Sequence, residues 1–447
     1  MRPKFTFALV LCLPTFLQAQ SKSEMQQVLE RLERLEEQNR ALFAEVQSLR
    51  KELAASGTTT AEPAPAEPPL EERVAVVEHR TDEQAQSKVE SEHRLPVQLT
   101  GMLLFNAFLN GRSSNNQGYP VAASASVGQT SGGATLRQSV IGLKFQGPDI
   151  FAGGKISGSV YMDFFDGLAT TQTQFMRLRI ASLDFDWKNT TFSVGQDKPI
   201  ISPREPNSIA QVGVSPLTAA GNLWQWEPQA RIEQRFGLGE DTGLLAQVGV
   251  FQTSEGTNTI PSEYQSSLAA ARPSLEGRFE FWHQFERGRR IEVAPGFHVS
   301  SSHVAGQSVP SDVYSVDWLI RPAPRIDFSG MFFGGENVAV LGALRQGIVF
   351  RDPTAPHAVS SRGGWAQLSF RATGRLSFNF YGGQQDDRNR DLLTGGIGKN
   401  QTYAGNVMYR FGQNVLASFE ASQTRTTYIG SGTRLNPHYD LAFAYLF

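Results

Sequence analysis

Arginine on alternating strands is the feature of this 447-residue chain that could do chemistry. "FMRLRI" sets Arg177 and Arg179 on one parity, with Met176, Leu178 and Ile180 on the other. "PQARIEQRF" does the same, with Gln229, Arg231, Glu233 and Arg235 against Ala230, Ile232 and Phe236. A β-strand sends successive side chains to opposite faces, so each segment presents guanidiniums on one side and an apolar row on the other. Guanidiniums grip carboxylate and phosphate oxygens with paired donors. A group of them projecting into a passage would select anions without breaking any bond. Arg278 and Arg321 extend the set, and Lys198 and Arg204 follow in "QDKPIISPREPN". Carboxylates are interleaved: Asp163, Glu233, Glu276, Glu280, Glu292 and Asp317 could neutralise the same arginines across the wall.

Bond-breaking chemistry finds no support. There is no G-x-S-x-G, no H-E-x-x-H and no glycine-rich phosphate loop. The seven histidines are scattered, and His298 with His303 makes no convincing ligand pair. The one cysteine, Cys12, falls in the N-terminal leader, so thiol catalysis, disulfides and cysteine-bound metals are all excluded from the mature chain. The expectation is a protein that is not an enzyme and uses no cofactor or metal. Nucleic acid is not an expected partner, because no basic run exists.

The elements that would position these arginines are strands. From residue 98 onward the apolar pattern has a period of two. Phe279, Phe281, His283 and Phe285 alternate with Glu276, Arg278, Glu280 and Gln284, and Ile291, Val293, Pro295, Phe297 and Val299 with Glu292, Ala294, Gly296, His298 and Ser300. A soluble sandwich also alternates, and the connectors discriminate better. "WKNT", "GLGED", "ERGR", "RPAP", "ATG" and "FGQN" are tight turns. Between them lie long irregular segments, among them "ISPREPNSIAQVGVSPLTAAGNLWQWE" and "GENVAVLGALRQGIVFRDPTAPHAVSS". Short turns facing long loops are the asymmetry of an outer-membrane barrel. The expected fold is an all-β transmembrane barrel of about 16 antiparallel strands over 98–447. Polarity switches after Ile180, which implies a bulge near Ala181–Ser182. The segment from Ser202 to Glu227, carrying Arg204, Glu205, Trp224 and Trp226, is the expected inward-folded constriction loop; an ordinary outer loop is the alternative.

The two ends fit that class. Arg2 and Lys4 precede a largely apolar stretch, which reads as a signal peptide over 1–19 and is too short to span a bilayer. A heptad follows over 21–55, with Leu32, Asn39 and Val46 at one seam position and Leu35, Leu42 and Leu49 at the other. Its unbroken 3-4 spacing predicts an α-helical coiled coil that joins copies of the chain. A Pro/Ala linker over 56–69 and a second helical segment over 70–95 complete this part. Charge divides at the same boundary: acidic residues lead by 16 to 10 over 21–97, and basic residues by 29 to 27 from 98 onward. Of those 29, 24 are Arg. At the far end Phe443, Tyr445 and Phe447 alternate to the last residue, as an apolar strand facing lipid and closing a barrel would, and look like a barrel-assembly signal.

A coiled coil, a Pro/Ala spacer and an Arg-bearing barrel together resemble the DcaP-like porins, relatives in style of the phosphate-selective porins. "KISGSVYMDFFDG", "FMRLRIASLDFDW", "FSVGQDKPIISP" and "GNLWQWEPQARIEQRF" look like the third to sixth strands of that family. The chain departs from it in carrying Asp197-Lys198-Pro199 after Gly195-Gln196, where the family has a Thr-Trp pair. The resemblance implies a homotrimeric porin for small, often anionic solutes. The reading is therefore a passive outer-membrane porin, with its N-terminal segment in the periplasm and a constriction drawn from Arg177, Arg179, Lys198, Arg204, Arg231, Arg235 and Arg278. Expected partners are outer-membrane lipid, the barrel-assembly machinery and small anionic solutes such as dicarboxylates or phosphate-like anions. The alternative is a structural protein whose coiled coil tethers the membrane to peptidoglycan or a partner.

Overall fold

The computed structural model describes residues 97–447 apart from 116–117, 167–173, 254–259, 269–272 and 353. The expected signal peptide, coiled coil, linker and second helix, with the seam residues Leu32, Leu35, Asn39, Leu42, Val46 and Leu49, lie outside the described residues.

Strand β1 (Val97–Asn110) pairs with β3 (Val140–Ile150) along its first half and with β2 (Ser131–Thr135) along its second, so β2 and β3 share one position in the wall. Next come β4 (Gly154–Asp166), β5 (Phe175–Asp186), β6 (Thr190–Asp197), β7 (Glu227–Gly237) and β8 (Thr242–Gln252). A short helix α1 (Ser262–Leu268) precedes β9 (Pro273–Gln284), β10 (Arg290–Val304), β11 (Gln307–Ala323) and β12 (Ile326–Glu336). A separate hairpin of β13 (Ile348–Asp352) and β14 (Ala355–Ala358) stands before β15 (Ser360–Arg371). The wall is completed by β16 (Leu376–Asp387), β17 (Ile397–Arg410), β18 (Val415–Tyr428) and β19 (Gly432–Leu446). Every wall strand is antiparallel to its neighbours, and β19 returns to β1 from Met102↔Leu446 to Asn110↔His438. The result is a closed barrel of 16 strands, as the alternation and turns predict.

The period of two has the expected sense. Phe279, Phe281 and Val299 are exposed on the outer face, whereas Glu276, Arg278, Glu292 and His298 are buried on the inner one. An outer face of this kind suits hydrocarbon, and closure leaves no strand edge unpaired within it. Phe443, Tyr445 and Phe447 also face outward, and the Phe447 carbonyl accepts the Gly101 N–H at 2.9 Å across the seam.

Connections on one side are short throughout: 151–153, 187–189, 238–241, 285–289, 324–325, 372–375 and 411–414. The opposite side carries the long ones, 111–130, 198–226, 253–272 and 337–359, but not uniformly. At 305–306 the chain turns on two residues with positive φ, Ala305 and Gly306, the backbone that suits strand twist in a tight hairpin. The bulge in β5 also differs from expectation. Ile180 opposes Tyr161 and Leu178 opposes Met162, so the extra residue is Arg179 rather than the Ala181–Ser182 pair.

A porin-like barrel would be expected to hold polar side chains inside, yet this one encloses an apolar core. Val313, Met331, Phe333, Trp365 and Tyr381 point inward from β11, β12, β15 and β16. They are met by Ile201, Leu217, Ala220 and Leu223 of segment 198–226, and by Val338, Val340, Leu341 and Ala343 of segment 337–347. Burying these groups against each other fixes both segments within the wall.

Candidate functional site

Segment 198–226 leaves β6 and crosses the interior, attached to the wall nearly all the way round. At its start the Ile200 N–H donates to Glu276 of β9 at 2.8 Å. Midway, the Asn207 N–H donates to Gln367 of β15 at 2.6 Å and the Ser208 hydroxyl to Glu420 of β18 at 2.6 Å. Asn106 of β1 donates to the Ile209 carbonyl at 2.9 Å, and Gln138 to that of Ala210 at 2.8 Å. Returning, Asn400 of β17 donates to the Ala219 carbonyl at 2.9 Å, and Trp224 N–H to the Leu341 carbonyl at 2.9 Å. Buried backbone groups need such partners, and the polar inner wall supplies them. Gly221, at φ +104, lies so close to the wall that a Cβ there would stand 2.2 Å from the Gly364 carbonyl oxygen.

The basic residues singled out from the sequence fall into three groups. In the first, Asp163 of β4 is wholly buried and accepts from Arg177 at 2.7 Å and Arg179 at 3.3 Å. Arg177 and Arg179 lie over the Trp226 ring at 5.0 and 4.7 Å, and Arg177 and Arg137 over Phe165 at 4.9 and 5.0 Å. These aromatic faces hold the cations in place without neutralising them. Lys198 pairs with Glu205 at 2.8 Å. Burial alone would raise the Glu205 carboxyl, but the Lys198 ammonium, its hydrogen bond, that of Ser215 and the charge of Arg179 hold it below the ordinary range. Among the described residues Arg177, Arg179 and Lys198 thus share two carboxylates, Asp163 and Glu205, a local excess of positive charge.

The second group is balanced. Arg204, reaching from the crossing segment, contacts Glu280 at 3.2 Å, Asp317 at 3.0 Å and Glu292. Arg278 takes Asp317 at 2.7 Å and Glu280 at 2.6 Å, and Arg290 pairs with Glu292. Three arginines meet three carboxylates. In the third group Arg231 lies 3.0 Å from Asp197 and 3.2 Å from Glu233, while Arg235 is half-exposed and 3.9 Å from Glu233. Arg321 stands apart, bound to Asp327 at 2.6 Å.

The expected constriction residues therefore occupy one interior, but as separate ion-paired groups rather than one ladder. Arg137 and Arg290 belong with them and were not legible: Arg137 sits in the irregular link between β2 and β3, and Arg290 opens a strand next to a turn. The inward position of 337–347 did leave a trace, the apolar run "VAVLGAL" inside what reads as an outer loop. Among the described residues no cluster of three or more His, Cys, Asp or Glu side chains is placed to hold a metal ion.

Against known proteins, no protein-family model matches the chain, and no curated protein matches it. Among solved structures it is similar to the outer membrane channel DcaP of Acinetobacter baumannii, with a TM-score of 0.62 and 15% identity over 78% of this chain and 97% of that one. OmpT of Vibrio cholerae, an outer membrane protein solved in a trimer form, aligns with a TM-score of 0.47 and 10% identity over 78% and 99% of the two chains. A porin refined at 1.8 Å aligns with a TM-score of 0.47 and 11% identity over 78% and 100%. The fold assignment rests on the first: the chain has the DcaP fold, which is where the resemblance read from its strand segments pointed.

Proposed function

We propose that this chain is a homotrimeric outer-membrane porin that passes small hydrophilic solutes by diffusion and prefers anions. The observation that carries the anion preference is the first charge group, where Arg177, Arg179 and Lys198 outnumber Asp163 and Glu205 beside the crossing segment. Fixed charge at a narrow point raises the local concentration of the opposite ion. Arg177 and Arg179 keep part of their surface open, so a carboxylate or phosphate oxygen can approach them while Asp163 stays covered. Arg278 is buried with its two carboxylates and Arg204 is shared among three, so these two shape the passage without selecting what crosses it. Channel activity and outer-membrane location are supported by the closed barrel, its apolar outer face and its likeness to DcaP. The heptad over 21–55 supports the joining of copies of the chain, with the N-terminal part in the periplasm, and the number three is what the resemblance to DcaP-like porins implies; the outward Phe443, Tyr445 and Phe447 suit recognition by barrel-assembly machinery.

The test is the reversal potential of the purified full chain in planar bilayers under a salt gradient. Chloride preference that weakens in Arg177→Ala and Arg179→Ala, and not in Arg235→Ala, is the expected result. Cation preference would overturn the anion reading, and folded protein that conducts nothing would leave the tether as the better account.

A further inference from the structure

A second candidate site lies among the connections on the long-loop side and shares no residue with the three charge groups. There a cavity of about 680 Å³ is bounded by Ile260 before α1, by Leu344 and Arg345 of segment 337–347, by Leu392 and Leu393 of the β16–β17 connection, and by Tyr428. That volume falls within the range of small-molecule pockets. Its floor is built from packed apolar groups: Ile260 belongs to a cluster with Val304, Val309 and Ile348, and Leu392 to one with Val349 and Val359. Gln346 locks two of the walls together, donating to Asp387 at 2.7 Å and to the Ile397 carbonyl at 2.6 Å.

Above this apolar floor the charge is positive. Arg345 is exposed, and among the described residues it has no ion-pair partner. Arg388 and Arg390 follow on the adjoining connection, each nearly 4 Å from Asp391. The neighbouring carboxylates are otherwise engaged, Asp387 by Gln346 and Gln385, and Asp391 by the Ser360 N–H at 3.2 Å. An exposed arginine alone binds an anion weakly in water. An apolar hollow alone would take an uncharged body. The two together suit a ligand with one anionic end and an apolar remainder.

We infer that this cavity captures amphiphilic monocarboxylates, with the carboxylate at Arg345 and the alkyl body over Ile260, Leu344 and Leu392. The test is calorimetric binding of acetate, butyrate, hexanoate and octanoate to the purified full chain, with a protein-free blank of the same detergent. Affinity is expected to rise about two- to fourfold with each methylene added as the chain fills the hollow. Arg345→Gln should weaken octanoate at least about fivefold. Leu393→Asp, at an exposed lining position, should weaken the longer acids more than acetate. Both residues are solvent-facing, and heat-modifiable gel mobility reports that the variant barrels are folded. Affinity independent of chain length, an unaltered octanoate affinity in Arg345→Gln, or no octanoate binding at about 10 mM would each overturn the inference. Chloride conductance recorded on the same protein tests the porin reading separately, since this site needs no flow through the barrel.

Discussion

Asp163 is wholly buried, and its carboxylate accepts from Arg177 at 2.7 Å while Arg179 reaches the same oxygen at 3.3 Å. One carboxylate serving two guanidiniums leaves the pair with a net positive charge, held in place by Trp226 and Phe165.

Asp163→Asn should therefore make the barrel more anion-selective, the opposite of Arg177→Ala. The two arginines are partly exposed, so losing their counterion costs about 1–2 kcal/mol rather than the larger amount expected for a fully buried pair. Reversal potential reads the first effect and the urea midpoint the second. A shift toward cations in Asp163→Asn would mean that Asp163 serves to hold the two arginines at the passage rather than to offset their charge.

Arg204→Ala should act through position. Its guanidinium joins the crossing segment to Glu280, Glu292 and Asp317, so its loss leaves one uncompensated negative charge on that wall and an untied segment. Noisier single-channel current with a shift toward cations is expected. Arg235→Ala, whose residue is half-exposed and 3.9 Å from Glu233, should change neither.

The Glu205 carboxyl titrates below its ordinary value of 4.5, so the Lys198–Glu205 pair is complete above that value and is lost only as pH falls through the lower folded pKa. The part of the selectivity that this pair controls, read as the difference between the unaltered chain and Glu205→Gln, should accordingly be flat between about pH 5 and pH 8 and should vanish in stronger acid as Lys198 is released in both. Reversal potentials taken in pH steps check this. A transition near neutral pH would place control in another group.

Leu341→Ala should open a cavity in the apolar core between the two inward segments, at a cost of about 2–4 kcal/mol. Gly221→Ala should strain the same contact from the other side, because its φ of +104 and the 2.2 Å approach to Gly364 leave no place for a Cβ; about 2–3 kcal/mol is expected. In both variants the closed barrel should persist, with single-channel conductance larger or less steady than in the unaltered chain. Identical conductance would mean that these segments do not border the passage.

The sequence by itself determined the barrel. Alternation is a local property: a strand buried on one face and bathed in lipid on the other must repeat every two residues, and Phe279, Phe281 and Val299 against Arg278, Glu292 and His298 obey it without reference to any distant partner. The inward-folded segment 198–226 was also legible, since a run of that length between two strands, holding Arg204, Glu205 and two tryptophans, is unusual for a simple connection. Pairing was not. Whether Arg278 meets Asp317 or stands open to solvent depends on the stagger of β9, β10 and β11, and stagger is fixed by the closure of the whole sheet rather than by any one strand. For the same reason one parity in β5 and another in β7 gave separate groups, with an excess of positive charge only where Asp163 is shared. The apolar core under 337–347 needed Met331, Phe333, Trp365 and Tyr381 to be recognised as inward-facing. Strand periodicity names two faces but does not say which is inside when both are apolar, and that choice belongs to the tertiary structure alone.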